Sequence, residues 1–115
     1  MTNQQYERAR ELMKQGQFEE AANLFEKNVK ANPHFKELEL LGECFLHLGR
    51  LPEAIVPLAA AATLNKGVRA PSLLAEVFYL LGKMHDAAEM AEIALSRDST
   101  NRKALAVKQQ VAQAS

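Results

Sequence analysis

The 115-residue sequence has a single cysteine, Cys44, so an intrachain disulfide is excluded and a reducing compartment fits; a cytoplasmic location is the expectation. It has no charge of prevailing sign: 14 basic and 14 acidic side chains cancel. A nucleic-acid or anionic-membrane partner calls for a basic excess, so neither is expected. It has no long apolar run. The longest nearly apolar stretch, Leu51 to Leu64, is 14 residues and contains Pro52, Glu53 and Pro57, too short for a bilayer. The first fourteen residues are polar and charged, unlike a secretory signal. No stretch joins period-two alternation to β-branched enrichment, so no strand is predicted. Glycine-flanked serine elbows, phosphate-cradling loops and zinc-protease helices are missing too.

What the sequence does have is a repeat. Gly16-Gln17-Phe18-Glu19-Glu20-Ala21 recurs as Gly49-Arg50-Leu51-Pro52-Glu53-Ala54 and as Gly82-Lys83-Met84-His85-Asp86-Ala87, each 33 residues after the last. Such a period marks a stacked-repeat protein. Helical spacing of apolar residues on both sides of each glycine predicts helices over about 2–15, 18–31, 35–48, 52–64, 71–81 and 86–97, and a last one over about 102–113. The start signals are a capping box at Thr2-Asn3-Gln4-Gln5, Pro52, Pro71 and an Asp86 cap. Glycines stop the first helix of each pair, and Asn32-Pro33 stops the second helix of the first pair. Pro57, inside the fourth helix, is expected to kink it. The last helix carries a thinner apolar set, Ala104, Leu105, Val107 and Val111, as a terminal cap should.

Superposing the units aligns Ala9, Gly42 and Ala75; Leu12, Phe45 and Phe78; Phe18, Leu51 and Met84; Ala21, Ala54 and Ala87; and Phe25, Leu58 and Ala91. A small residue in each helix lets the pair cross closely, and large flanking residues fill the grooves. This pattern resembles the tetratricopeptide repeat, three times in register. The resemblance implies an all-α, right-handed α-solenoid of three helix-turn-helix units plus a capping helix, seven helices in all. It forms one domain over 1–115, with repeats at about 2–34, 35–67 and 68–100. The period of 33 departs from the family's usual 34 or so. Further departures are Asn28 at the second small position of a second helix, and Lys66 and Ser99 where a closing proline is usual.

Little points to chemistry. Cys44 and His47 are the one Cys/His pair at helical spacing, and two ligands do not close a zinc site. Glu43 and Glu76 project from equivalent positions, a pair that reads better as a solvated groove wall than as an acid–base couple. No cofactor, metal or enzymatic activity is expected.

The resemblance instead implies a peptide-binding groove lined by the first (A) helix of each pair. Its residues in this chain are Asn3, Tyr6, Arg10, Met13 and Lys14; then Lys36, Glu39, Glu43, Leu46 and His47; then Arg69, Ser72, Glu76, Tyr79 and Leu80. The cap adds Arg102, Leu105 and Gln109. Lys36, Arg69 and Arg102 make a basic edge, and Met13, Leu46 and Tyr79 an apolar floor. The expected partner is therefore a protein segment with apolar anchors and an acidic flank. Family members that grip the C-terminal carboxylates of cytosolic chaperones use a lysine and an asparagine, an asparagine, and a lysine and an arginine where this chain has Tyr6 and Arg10, Leu40, and Arg69 and Leu73, so that clamp is not expected. The rival reading is a self-associating assembly factor or dedicated chaperone. A monomer is expected if the last helix caps the stack, and a weak homodimer if it exposes Leu105 and Val111.

Overall fold

The computed structural model describes residues 4–114, all of whose regular elements are helices. They are α1 (Gln4–Lys14), α2 (Phe18–Ala31), α3 (Phe35–His47), α4 (Leu51–Leu64), α5 (Arg69–Leu80), α6 (Met84–Arg97) and α7 (Arg102–Ala114). The capping box at Thr2 and the groove position Asn3 lie outside the described residues.

The repeated glycines are the left-handed residues that end helices α1, α3 and α5. Gly16, Gly49 and Gly82 have φ of 78°, 73° and 78°. Each turn closes identically. The amide after the glycine donates to a carbonyl five residues back: Gln17 to Leu12, Arg50 to Phe45 and Lys83 to Phe78, all at 2.9 Å. The glycine amide itself donates three residues back, to Met13, Leu46 and Tyr79, and the two bonds satisfy carbonyls that a helix end leaves open. It sets one reversal angle three times, so α1/α2, α3/α4 and α5/α6 are three copies of one hairpin.

The hairpins stack into a body of 45 × 25 × 21 Å. Helix α5 packs against α3 and α7, whereas α2, α4 and α6 have no comparable packing among themselves. The stack is therefore tighter on the A-helix side and curves around it. The core runs from Ala9, Leu12 and Phe25 through Cys44, Phe45 and Leu58 to Val77. An alanine-rich continuation, Ala75, Ala87, Ala91, Ala94, Ala104 and Val107, seats the cap.

Several local expectations change. Helix α5 begins at Arg69, two residues before Pro71, which sits in its first turn where a missing N–H is harmless. Helix α6 begins at Met84, so Asp86 lies within its first turn and is not its cap. Pro57 lies inside helix α4 as expected and is buried there. Leu105 of α7 is 46% exposed, while Ala104 and Val107 carry the buried contact.

Asn28 has a specific reason to be where it is. Its side-chain amide donates to Glu37 Oε1 at 2.7 Å, and both residues are buried. The bond ties α2 to α3 across the first repeat boundary. Asn28→Ala should leave a buried carboxylate short of a donor and lower stability by about 1–3 kcal/mol, read by urea titration. An unchanged midpoint would mean that Glu37 finds another donor.

Candidate functional site

The concave side holds a cleft of about 580 Å³ between α3, α5 and the start of α7. Its walls include Glu43, Leu46 and His47 from α3 and Arg69, Ser72, Glu76 and Leu80 from α5. The 33-residue register places exactly these faces side by side, because equivalent positions of stacked hairpins point the same way. A second, smaller cleft is lined by Tyr6 and Arg10 of α1, Lys36, Glu39 and Leu40 of α3, and Arg69. Together the two clefts collect eleven of the thirteen groove residues carried through the register from Tyr6 to Leu80, Lys14 aside.

Met13 and Tyr79 line neither. Met13 is half-buried against the main core, and Tyr79 against the cap cluster. The apolar floor is thus Leu46 and Leu80, the latter 53% exposed. Val68, Leu73, Asn101 and Lys103 join the large cleft without having been expected there. Ser72 is buried, and its hydroxyl donates to the Arg69 carbonyl at 2.9 Å, so it is already engaged within its own helix.

Two ion pairs cross the large cleft. The Arg69 guanidinium donates to Glu43, and Lys103 Nζ donates to Glu76 Oε1 at 2.6 Å. Of the expected basic edge, Arg69 is answered from within the chain by Glu43. These partly exposed pairs add at most about 1 kcal/mol each to stability. Their larger effect is to fix where charge sits along the groove. His47 stacks flat on Phe18, with centroids 4.3 Å apart and planes 5° apart, and its Nε2 lies 4.0 Å from Glu43. Cys44 is fully buried, and desolvation with the nearby Glu43 charge pushes its thiol up to about 12, so it is a core residue without thiolate chemistry. Among the described residues no group of three or more His, Cys, Asp or Glu side chains is placed to hold a metal ion.

Glu39 is buried in the wall of the small cleft. Desolvation raises its pKa, against the lowering influence of Arg69 and Lys36. With the folded value above the unfolded one, the folded chain binds the extra proton between the two. Stability falls as pH rises through that window, and the penalty is complete above the folded value. Glu39→Gln should accordingly raise the melting temperature at pH 7 and leave it unchanged at pH 3. Equal melting of both proteins at pH 7 would contradict the burial.

A family model described as Tetratricopeptide repeat matches residues 6–72. No curated protein matches the sequence. Among solved structures, the first TPR of Spaghetti (RPAP3), bound to an HSP90 peptide, superposes with a TM-score of 0.91 at 22% identity, covering 96% of this chain and 89% of that one. The Arabidopsis OM64 TPR domain gives 0.91 at 19% identity, over 96% and 93%. The Yersinia enterocolitica type III secretion chaperone SycD, in complex with a peptide of the translocator YopD, gives 0.82 at 20% identity, over 96% and 86%. At these identities the likeness is one of fold.

Proposed function

The chain belongs to the tetratricopeptide repeat family, and we propose that it is a protein-interaction scaffold holding a segment of a protein partner in the groove lined by its A helices. The observation that carries this reading is the 580 Å³ concave cleft, in which exposed Leu80 and half-buried Leu46 lie beside the charged Glu43–Arg69 and Glu76–Lys103 pairs. Apolar contact with polar groups at the rim is the composition of a peptide-binding groove. The peptides held by RPAP3 and SycD in their complexes support the same use here. The reading takes 1–115 as one domain with repeats near 2–34, 35–67 and 68–100. It is a non-enzymatic, cytoplasmic adaptor whose partner offers apolar anchors and an acidic flank and is not nucleic acid. No helix among the described residues is long and apolar enough to cross a membrane.

The test is a peptide selected by display against the intact chain. Leu80→Glu should weaken its binding at least about tenfold, since it places a charge where an anchor sits. It should leave the melting temperature unchanged because Leu80 is exposed. Val56→Glu, on the opposite face and 74% exposed, should leave binding intact. Loss of binding with Val56→Glu alone would move the site off the groove.

One observation favours the assembly-factor or chaperone reading as a second. Leu105 presents an exposed apolar side chain on the terminal helix, which also carries half-buried Val111. Light scattering decides it: a dimer that Leu105→Glu dissociates supports this reading, and a monomer up to millimolar concentration removes it.

A further inference from the structure

Helix α4 differs from its equivalents on the side turned away from the groove. It carries one charged side chain, Glu53, in 14 residues, whereas α2 carries five and α6, His85 aside, four. Its outward positions include Val56, Ala59 and Thr63. Thirty-three residues earlier stand Asn23, Glu26 and Lys30, and thirty-three later Glu89, Glu92 and Ser96. With Leu64 they make an apolar stripe in the open: Val56 is 74% exposed and Leu64 58%. Even the Thr63 hydroxyl is engaged within the helix, donating to the Ala59 carbonyl at 3.0 Å. A helix that is apolar on every side belongs in an interior, and this one has its outer side bare.

The stripe runs between two apolar clefts. One, of about 330 Å³, lies toward α2 over Val29, Leu38, Leu41 and Phe45. The other, of about 450 Å³, lies toward α6 over Leu74, Met90 and Ile93. A ridge with a groove on each side is the shape into which a second helix packs. The two ends of the stripe carry opposite charge. At its start Arg50 is shared by two acids, Glu19 at 2.7 Å and Glu53 at 2.6 Å. At its end Lys66 and Arg97 stand on the rim of the α6-side cleft. Neither belongs to an ion pair among the described residues; Arg97 donates to the Asn65 and Gly67 carbonyls instead.

We propose that the outer face of α4 is the interface of a weak homodimer, in which α4 packs against α4 of a second copy running in the opposite direction. The charge order selects this occupant. A stripe with an acidic end and a basic end is complemented by the same stripe reversed, and a two-fold interface requires such self-complementarity. With Ala60 opposite Ala60, Val56 comes against the partner's Leu64, and Glu53 near the partner's Lys66. Small residues, Ala59, Ala60 and Thr63, lie at the crossing and let the two helices approach closely. A 14-residue helix is only about 21 Å long, so the contact is smaller than a standard interface and the association is weak. The face lies opposite the groove, and the inference does not rest on what the groove binds.

The test is sedimentation equilibrium of the intact chain at low ionic strength, from about 10 μM to about 1 mM. The mass should rise with concentration from 12.8 kDa toward twice that value. Val56→Glu and Leu64→Glu should each weaken association at least about tenfold with the melting temperature unchanged, since both side chains are exposed. Leu105→Glu should leave it intact, which separates this dimer from one formed through the cap. A charge exchange reads the direction of packing. Lys66→Glu and Glu53→Lys should each weaken self-association at least about fivefold, because like charges then meet at both ends of the dimer. An equimolar mixture of the two variants should recover it, because each then offers what the other lacks. A monomer at about 1 mM, a dimer that both Val56→Glu and Leu64→Glu leave intact, or a mixture no tighter than its components would overturn the proposal. None of these outcomes bears on Leu80→Glu and peptide binding, so the two readings fail separately.

Discussion

Gly42→Val is expected to destabilise the chain by about 2–3 kcal/mol, although glycine is an unfavourable residue in the middle of a helix. A Cβ at position 42 would lie 2.4 Å from Leu58 Cγ and 2.6 Å from its Cδ2. The obstacle is the branch carbon of a fully buried side chain, which has no free volume to retreat into. Helix α3 must then separate from α4, or Leu58 must leave its rotamer. Valine recovers less than about 1 kcal/mol of helix propensity against that strain. Leu58→Ala destabilises by itself, but in the Gly42→Val background it opens the space that valine needs. A double-mutant cycle should thus show favourable coupling of about 1–2 kcal/mol. Additive losses would mean that the two helices do not approach as closely as described.

Phe25→Ala should have the largest effect of any single truncation, about 3–5 kcal/mol out of a total of about 5–15 kcal/mol. Phe25 is the largest fully buried side chain, and it meets the Tyr6 ring edge-on at 6.3 Å and 66°. The third repeat has Ala91 in the equivalent place, so the first repeat depends on this bulk in a way the third does not. Because each hairpin touches only its neighbours, the loss should be local. Hydrogen exchange is expected to show α1 and α2 losing protection first, with α5 to α7 retaining theirs. Uniform loss along the chain would instead indicate a single cooperative unit.

The architecture was legible in the sequence because one turn, written three times, dictates it. Gly16, Gly49 and Gly82 adopt a left-handed backbone state that glycine accepts without strain and other residues rarely do, and the small residue five places on lets each hairpin close. Register also says which face of an A helix points inward. It does not say how far a neighbour covers that face, so Met13 and Tyr79 share the right face and yet lie against core and cap. Nor does register say which side chain of the next helix completes a charge pair. Carrying the Arg69 position forward gives Arg102, but Lys103 makes the bridge to Glu76, and one residue is about 100° of helix rotation. Asn28 looked like a flaw in the repeat. Only the tertiary contact with Glu37, nine residues away across a boundary, explains it.

The central claim is that the A-helix side is the binding face. Its most direct test is an amide chemical-shift map of the intact chain with a display-selected peptide. The shifts should concentrate on Glu43–His47 of α3 and Arg69–Leu80 of α5. Shifts concentrated instead around Val56, Ala59, Thr63 and Ile93, on the faces of α4 and α6 away from the groove, would contradict it.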